Sequence, residues 1–212
     1  MSEPPQADPI QEQIKRHFEE AFDRFGPTPQ GVDWNSEQAQ VVRFDQLLQV
    51  CDLSRPFSLN DYGCGYGALA GYLAARGLDF RYTGYDLSEK LVAQAQQLYA
   101  GAGNLAFTTD EAALPTADYT LANGIFNKRF DFDEHAWTAH ILHTLGRLDA
   151  LSTGGFAFNL LTRYSDPEKM RPDLYYGDPG FFFDYCMLNY SRNVTLLHDY
   201  GLFDFTVIVR KV

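Results

Sequence analysis

The stretch "LNDYGCGYGALAGYL", residues 59–73, decides the fold and raises the first question about the site. It places three glycines at alternate positions, Gly63, Gly65 and Gly67, after a short apolar run and before an apolar helical pattern. Glycine permits positive φ angles and lets another group approach the backbone, so a strand, a glycine turn and a helix N-terminus together form a cradle of nucleotide size. Asp61, two residues ahead of the first glycine, adds a carboxylate to that cradle.

Beyond Pro56, short strand-like runs alternate with helical runs, which is the pattern of a parallel sheet built from βαβ units. The predicted strands cover residues 57–62, 80–85, 104–108, 117–122 and 155–161, and the predicted helices cover residues 67–76, 88–99 and 134–151. The final stretch "VTLLHDYGLFDFTVIVRKV" has two strand-like runs around "DYG", which predicts a tight hairpin and therefore an antiparallel pair.

Two amphipathic helical patterns precede the sheet, and an aromatic helical pattern, "GFFFDYCMLNYS", interrupts its second half. We therefore divide the chain into an N-terminal helical extension, residues 1–56, and a sheet domain, residues 57–212. The sheet domain carries a helical insertion, residues 163–193, between its fifth and sixth strands.

Composition excludes several classes of protein. The chain has 212 residues, 45% of them hydrophobic, which fits a globular protein with a sizeable core. A formal charge of -11 would repel a phosphate backbone, so we expect no nucleic acid partner. No apolar run approaches the roughly 20 residues that cross a bilayer, and no secretory signal is recognisable, so we expect a cytoplasmic protein without membrane contact. The three widely spaced cysteines indicate a reduced compartment and no metal site.

Asp61 helps to identify the ligand of the glycine turn. The glycines with Ala68 also satisfy the G-x-G-x-x-A fingerprint of dinucleotide-binding proteins, so they do not separate a dehydrogenase from other nucleotide users. A carboxylate at the end of the first strand would repel a pyrophosphate, whereas it would attract an ammonium group. S-adenosylmethionine carries an ammonium and a sulfonium and has no phosphate, so the sequence favours it over NAD.

Further polar residues follow the next three predicted strands. Asp86 ends the second strand, 19 residues after Gly67, where a carboxylate can accept hydrogen bonds from both hydroxyls of a ribose. NAD would use it equally well. Asp110 and Glu111 follow the third strand, where they can accept from the exocyclic amine of adenine. After the fourth strand, the turn Asn123-Gly124 would bring backbone close to the reacting centre.

The ordered set "DYGCGYG", "GYDLS", "TTDEAALP" and "ANGIFN" resembles the class I S-adenosylmethionine-dependent methyltransferases throughout the sheet domain. The resemblance assigns Asp61 and the three glycines to the first motif of the family, Asp86 to its ribose acid, Asp110 to its adenine-side acid, and Asn123-Gly124 to its fourth-strand motif. It implies a Rossmann-like α/β fold with a seven-stranded, mostly parallel sheet whose last strand is antiparallel. It also implies S-adenosylmethionine as cofactor and S-adenosylhomocysteine as product, and it supplies no substrate.

The resemblance also implies that the N-terminal helices and the insertion cover the site of the methyl acceptor. On this ground we expect a small-molecule acceptor bound by Trp34, Phe126, Asn127, Tyr164, Tyr175 and Tyr176. We add Cys64 and Leu87 to the cofactor site, together with Arg43, whose guanidinium could pair with the methionine carboxylate of the cofactor. No catalytic residue is identified, because His17, Asp33 and His198 are candidate bases by residue type only.

The leading prediction is an enzyme that transfers a methyl group to nitrogen or oxygen of a small molecule by direct in-line displacement. Two alternatives stay open at this point. An NAD-dependent oxidoreductase is disfavoured, since no second nucleotide-binding half and no Tyr-x-x-x-Lys pattern follows. A non-catalytic module that binds the cofactor and regulates a partner would use the same glycine turn.

Overall fold

The computed structural model of the protein describes residues 8–34 and 36–211. The helices are α1 (Pro9–Phe25), α2 (Glu37–Leu47), α3 (Ala68–Ala75), α4 (Glu89–Leu98), α5 (Glu134–Ala150) and α6 (Pro179–Asn189). Short 3-10 turns cover Pro29–Val32, Leu48–Val50, Glu111–Ala113 and Pro167–Lys169. The strands are β1 (Phe57–Tyr62), β2 (Phe80–Tyr85), β3 (Leu105–Thr108), β4 (Ala117–Ala122), β5 (Ser152–Thr162), β6 (Tyr176–Gly177), β7 (Asn193–Leu197) and β8 (Asp204–Arg210).

The strands form one sheet in the order β3-β2-β1-β4-β5-β8-β7, and β6 adds a short parallel pairing to the end of β5. The first five strands run parallel, whereas β8 is antiparallel to both β5 and β7. This arrangement confirms the predicted Rossmann-like sheet with its antiparallel last pair. The order reverses on either side of β1, between β2 and β4, and open parallel sheets bind their ligands at the carboxyl ends of the strands at such a point.

Apolar side chains cover both faces of the sheet, as a parallel sheet requires. One face packs against α5 and α6, where Trp137, Leu145 and Phe182 are fully buried. The other face packs against α2 and α3 through residues such as Leu47 and Leu73. Helix α2 lies in the predicted N-terminal extension, yet its apolar side forms part of this second core.

Two details of the fold differ from the sequence-based expectation. The sheet has eight strands where seven were predicted. The additional strand, β6, is two residues long and lies inside the predicted insertion, and a pairing this short has no periodicity that the sequence could reveal. The connection between β7 and β8 covers residues 198–203 and is longer than the tight turn predicted at "DYG". Within the described residues, no helix has both the length and the apolar composition that a bilayer crossing requires.

Candidate active site

A cavity lies at the carboxyl ends of β1, β2 and β4, where the sheet order reverses. Its floor contains the residues that the glycine turn and the strand ends contribute, Asp61, Gly63, Gly65, Asp86, Asn123 and Gly124. Its roof consists of α1 and the turn that follows it, through Ile14, Lys15, Phe18, Val32 and Trp34. Cys64, Leu87 and Glu111 also line it. The structure therefore brings most of the predicted cofactor residues together in one cavity.

The three glycines of the turn differ in what surrounds the position that a side chain would occupy. All three glycines have positive φ, at 84°, 56° and 85° for Gly63, Gly65 and Gly67. A Cβ on Gly63 would lie 2.3 Å from Cγ2 of Ile125, and one on Gly67 would lie 2.8 Å from the ring of Tyr99. A Cβ on Gly65 would meet only Cγ1 of Val32, at 3.2 Å, so this glycine faces the open part of the cavity. Gly67 does not line the cavity, and its role is to seat the Tyr99 ring against α3.

Asp61 is a buried carboxyl group with little to balance its charge. Among the described residues its one hydrogen bond comes from the hydroxyl of Tyr82, which donates to Oδ2 at 2.7 Å. Burial raises the pKa of Asp61 to about 7, and the nearby Asp86 adds to the increase. A buried carboxylate is costly unless a cation or several donors stabilise it. This side chain therefore fits a site that receives a positively charged group.

Asp86 is held in place by two backbone donors. The N–H of Gly65 donates to Oδ2 at 2.9 Å, and the N–H of Ser88 donates to Oδ1 at 3.0 Å. Burial raises the pKa of Asp86, while these two hydrogen bonds oppose the rise. Each carboxylate oxygen has a further lone pair, so the fixed group can accept two more hydrogen bonds from a vicinal diol.

The turn after β4 is fixed by a buried asparagine that sequence reasoning missed. The side chain of Asn159, on β5, accepts a hydrogen bond from the N–H of Gly124 at 2.7 Å and donates to Oδ1 of Asn123 at 3.1 Å. Gly124 has φ of 72°, and a Cβ there would lie 2.3 Å from Cη2 of Trp34. The Trp34 ring therefore rests directly on this turn.

Arg43 occupies a position unlike the predicted one. Its guanidinium donates to Oδ2 of Asp204 at 2.5 Å and to the carbonyl oxygen of Ala39 at 2.9 Å. It also lies over the ring of Trp34, 4.3 Å from the centroid. Arg43 does not line the cavity, so in this structure it supports the Trp34 wall from behind and does not present its guanidinium to a ligand carboxylate.

The two acidic residues after β3, Asp110 and Glu111, lie in different environments. Glu111 lines the cavity and pairs with Arg147 of α5, with 2.5 Å between Oε1 and Nε. Asp110 is exposed, and its Oδ1 accepts from the N–H of Ala112 at 2.9 Å, which caps the 3-10 turn. Of the two predicted adenine-side acids, only Glu111 therefore reaches the cavity.

The six predicted acceptor residues do not form a single site. Trp34 alone lines the cavity. Phe126 is fully buried in the core, and Oδ1 of Asn127 accepts from the N–H of Leu161, so both stabilise the sheet. Tyr175 is buried and its hydroxyl lies 3.0 Å from that of Thr138. The remaining two are Tyr176, which lines a groove away from the cavity, and Tyr164, which is 70% exposed.

Two histidines of α5, His140 and His143, line the cavity although sequence reasoning did not place them there. Burial lowers the pKa of His140, so this imidazole tends to stay neutral. Their spacing of three residues does indicate that the two histidines share one face of a helix. The sequence did not show, however, that this face of α5 would meet the cavity. Within residues 8–34 and 36–211, no group of three or more His, Cys, Asp or Glu side chains is arranged to hold a metal ion.

Comparisons with known proteins agree with this geometry. Residues 60–147 match the family described as a methyltransferase domain. The protein named "Putative methyltransferase Rv1506c", from Mycobacterium tuberculosis, is 49% identical over 164 residues, which cover 77% of this chain and 99% of that relative.

Two solved structures share the fold. The first is Burkholderia thailandensis 1,6-didemethyltoxoflavin-N1-methyltransferase with bound 1,6-didemethyltoxoflavin and S-adenosylhomocysteine. The alignment has a TM-score of 0.65 at 20% sequence identity, and it covers 100% of this chain and 93% of that one. The second is the magnesium protoporphyrin IX methyltransferase of Synechocystis PCC 6803 with bound S-adenosylmethionine, at a TM-score of 0.63, 17% identity, and coverage of 97% of this chain and 100% of that one. On the strength of the close relative, the matched domain and the shared fold, this chain belongs to the class I S-adenosylmethionine-dependent methyltransferases.

Proposed function

We propose that the protein transfers the methyl group of S-adenosylmethionine to a nitrogen or oxygen atom of a small molecule. The observation that carries the proposal is the roof of the cavity. Phe18, Val32 and Trp34 line the same cavity as Gly65 and Asp86, so apolar side chains of the N-terminal segment lie beside the proposed cofactor residues, an arrangement that favours a compact acceptor. The formal charge of -11 also disfavours nucleic acids and acidic polymers as acceptors.

The residues of the cavity fit the chemical groups of the cofactor. Asp86 would accept the ribose hydroxyls, since its oxygens are fixed by Gly65 and Ser88. Asp61 would receive the ammonium, which removes the cost of a buried carboxylate that has no cationic partner among the described residues. Glu111 would lie on the adenine side. When bound, S-adenosylmethionine supplies a methyl group on a sulfonium, which is a good leaving group.

The task of the protein in such a reaction is to orient the two partners and to exclude water. Well-oriented reactions can gain on the order of 7–11 kcal/mol over their bimolecular counterparts. The ring of Trp34, fixed between Gly124 and Arg43, provides a rigid wall beside the fourth-strand turn. We propose that α1 and residues 29–34, within the predicted extension of residues 1–56, act as the cover of the cofactor site and limit the acceptor to compact molecules. Residues 1–7 and 35 of that extension lie outside the described residues.

The names of related structures support the proposed acceptor class. The Burkholderia thailandensis enzyme is named for 1,6-didemethyltoxoflavin, and a human enzyme of the same fold, at a TM-score of 0.64 and 18% identity, is named for N-acetylserotonin. Both named acceptors are small molecules. At such identities the likeness shows the fold alone, so the acceptor class of this chain is our proposal.

Methyl transfer to fractionated cell extract tests the proposal. The full chain is incubated with S-adenosylmethionine labelled on its methyl group and with either the small-molecule fraction or the macromolecular fraction. We expect label in the small-molecule fraction together with formation of S-adenosylhomocysteine. A matched control is Gly65→Val, which blocks the open part of the cavity and places a branched side chain at φ of 56°. Label confined to protein or nucleic acid, or absent from both fractions, would contradict the proposal.

A further inference from the structure

The start of α4 contacts one side of the roof helix α1. The contacting residues of α4 follow Asp86 and Leu87 directly, and they are Ser88, Glu89 and Lys90. Their partners on α1 are, in the same order, Glu19, Lys15 and Asp23. The partners are spaced by four residues, so they lie on one side of the helix. We call these three contacts the latch.

The two outer contacts of the latch are ion pairs. Nζ of Lys90 lies 2.8 Å from both carboxylate oxygens of Asp23, and Nζ of Lys15 donates to Oε2 of Glu89. Lys15 also lines the cavity, so this pair begins at the cavity wall. Exposed ion pairs contribute little one at a time, and their significance here depends on what they hold in place.

The pair of Asp23 and Lys90 is placed against the dipoles of both helices. Asp23 lies in the last turn of α1, where the helix dipole favours a cation, and Lys90 lies in the first turn of α4, where it favours an anion. Each helix by itself would be more stable with the opposite charge at this position. The contact between the two helices therefore explains these charges, whereas the stability of either helix does not.

Ser88 connects the roof helix to the carboxyl group of Asp86. Its hydroxyl donates to Oε1 of Glu19 at 2.8 Å, and its N–H donates to Oδ1 of Asp86 at 3.0 Å. The same hydroxyl oxygen accepts from the N–H of Leu91 at 3.2 Å, which caps α4. Ser88 is fully buried, so water does not readily replace a lost partner. One residue therefore contacts the roof, caps α4 and holds Asp86.

Glu19 also acts on Asp86 through its charge. Burial raises the pKa of Asp86, and the negative charge of Glu19 adds to the increase. A carboxylate that a neighbouring negative charge destabilises gains more from hydrogen-bond donors. Hydroxyl groups that donate to Asp86 and a docked Glu19 should therefore favour each other.

The latch also fixes how α1 is rotated and shifted over the cavity. Ile14 and Phe18 contribute apolar surface to the roof, and apolar contacts are non-directional. A helix turns by about 100° per residue, so a shift of one residue would move the three latch partners away from α4. The polar contacts therefore determine which side chains of α1 face the cavity.

We propose that Ser88 is a positioning residue that couples the docking of α1 to cofactor binding at Asp86. With α1 docked, Glu19 fixes the hydroxyl of Ser88, and the N–H of Ser88 orients the carboxylate of Asp86 toward the ribose hydroxyls. Bound cofactor favours the docked helix in return, because such a coupling is reciprocal. The inference rests on the proposed place of the ribose at Asp86 and is independent of the methyl acceptor.

A double-mutant cycle, measured by calorimetry on the full chain with S-adenosylhomocysteine, tests this coupling. Glu19→Ala removes the acceptor of the Ser88 hydroxyl, and Asp86→Ala removes the carboxylate that Ser88 orients. We expect Glu19→Ala to weaken binding on the order of 10-fold when Asp86 is present. When Asp86 is replaced by Ala, the same change should weaken binding by about 2-fold or less, because no carboxylate remains to be oriented.

Glu20→Ala is the matched control for Glu19→Ala. It removes the same charge from the next residue of α1, which is exposed and lines a groove outside the cavity. We expect its affinity for S-adenosylhomocysteine to equal that of the wild type. The melting temperature of each variant, measured without ligand, separates a loss of affinity from a loss of folded protein.

An exchange of charges tests the outer contact of Asp23 and Lys90. Asp23→Lys and Lys90→Asp each place like charges together, although each suits the dipole of its own helix. We expect each single variant to weaken S-adenosylhomocysteine binding by about 2–5-fold and to speed amide exchange in α1. The double variant should restore both, which a local defect in one helix would not allow.

Each contrary outcome overturns a defined claim. If the wild type binds S-adenosylhomocysteine and Glu19→Ala binds as tightly as Glu20→Ala, Ser88 does not couple the two sites. Equal losses from Glu19→Ala with and without the Asp86 carboxylate would also overturn the coupling. Single charge variants without effect, or a double variant that stays weak, would overturn the latch. A wild type that does not bind S-adenosylhomocysteine would overturn the proposed function as well.

Discussion

Asp61 couples the cofactor site to pH. Burial raises its pKa to about 7, so below that pH the empty protein holds a proton on this carboxyl. A ligand ammonium favours the ionised form, and its binding should therefore release the proton. We predict that calorimetry of S-adenosylhomocysteine at pH 6, in buffers of different ionisation enthalpy, detects release of about one proton per site. At pH 8 the release should be close to zero.

The matched variant for that measurement is Asp61→Asn, which keeps an acceptor for the Tyr82 hydroxyl and cannot titrate. It should bind more weakly and release no proton at either pH. The same pKa shift acts on stability. The folded protein binds the Asp61 proton more tightly than the unfolded chain does, so the contribution of this group to stability falls as pH rises from about 4 to 7. Proton release that persists in Asp61→Asn would assign it to another group.

Gly124 tests the Trp34 wall. Gly124→Ala places a Cβ 2.3 Å from Cη2 of Trp34 and adds strain at φ of 72°. Gly101→Ala is the matched control, because it has φ of 88° and nothing within 4 Å of the new Cβ. Both variants should lose about 1 kcal/mol of stability from the backbone, and Gly124→Ala should lose a further 1–3 kcal/mol or displace the ring. Melting temperature and tryptophan fluorescence measure the two effects, and equal behaviour would refute the contact.

The positions of residues that depend on local backbone geometry could be predicted from the sequence. The positions of residues that depend on contacts with distant parts of the chain could not. Gly63, Gly65 and Asp86 follow from the local rule that a strand, a glycine turn and a second strand end meet at one edge of a sheet. Asn159 and Arg43 could not be placed in this way. Their positions depend on partners 35 and 161 residues distant along the chain, Gly124 and Asp204, which no local pattern specifies.

Among the elements, α1 supplies the helical part of the cavity roof. Polar contacts join it to the start of α4, where Lys90 binds Asp23 at 2.8 Å and the Ser88 hydroxyl donates to Glu19 at 2.8 Å. Its other face supplies Ile14 and Phe18 to the cavity roof. A ligand bound in the cavity would therefore contact this helix.

We predict that S-adenosylhomocysteine slows amide hydrogen exchange in α1 and in residues 29–34, as well as in the glycine turn. A bound ligand buries their cavity-facing side and reduces local opening. Helix α6 serves as the control, because it packs into the core and does not line the cavity. Protection limited to the glycine turn and the end of β2 would mean that α1 does not close over the ligand.

The elements themselves were largely predictable, because most carry a full period of apolar residues. The predicted strands 57–62, 80–85 and 117–122 match β1, β2 and β4 residue for residue. Strand β5 extends further than expected at both ends, to Ser152–Thr162, because Ser152 pairs with β4 and Thr162 pairs with β6 beyond the predicted run. Sheet pairing, which is a tertiary property, therefore decided the bounds that periodicity left undefined.

At the scale of the whole molecule, the sheet positions the floor of the cavity, and α1 with the turn that follows it lines the opposite side. The reversal of strand order between β2 and β4 brings Asp61, Asp86 and Asn123 to one edge. The roof then comes from residues that precede the sheet in sequence, so neither part makes the cavity alone. This is why most of the residues proposed for the cofactor could be placed in one cavity from the sequence, whereas the residues proposed for the acceptor, which depend on how the N-terminal segment folds back, could not.

The central claim is that the roofed cavity is the S-adenosylmethionine site, with Asp86 on the ribose. Calorimetric titration of the wild type and Asp86→Ala with S-adenosylhomocysteine and with NAD tests it most directly. We predict one-site binding of S-adenosylhomocysteine to the wild type, no binding of NAD, and a loss of about 1.5–3 kcal/mol in Asp86→Ala as the ribose hydroxyls lose a charged acceptor. Tight binding of NAD, or an unchanged affinity of Asp86→Ala for S-adenosylhomocysteine, would contradict the account.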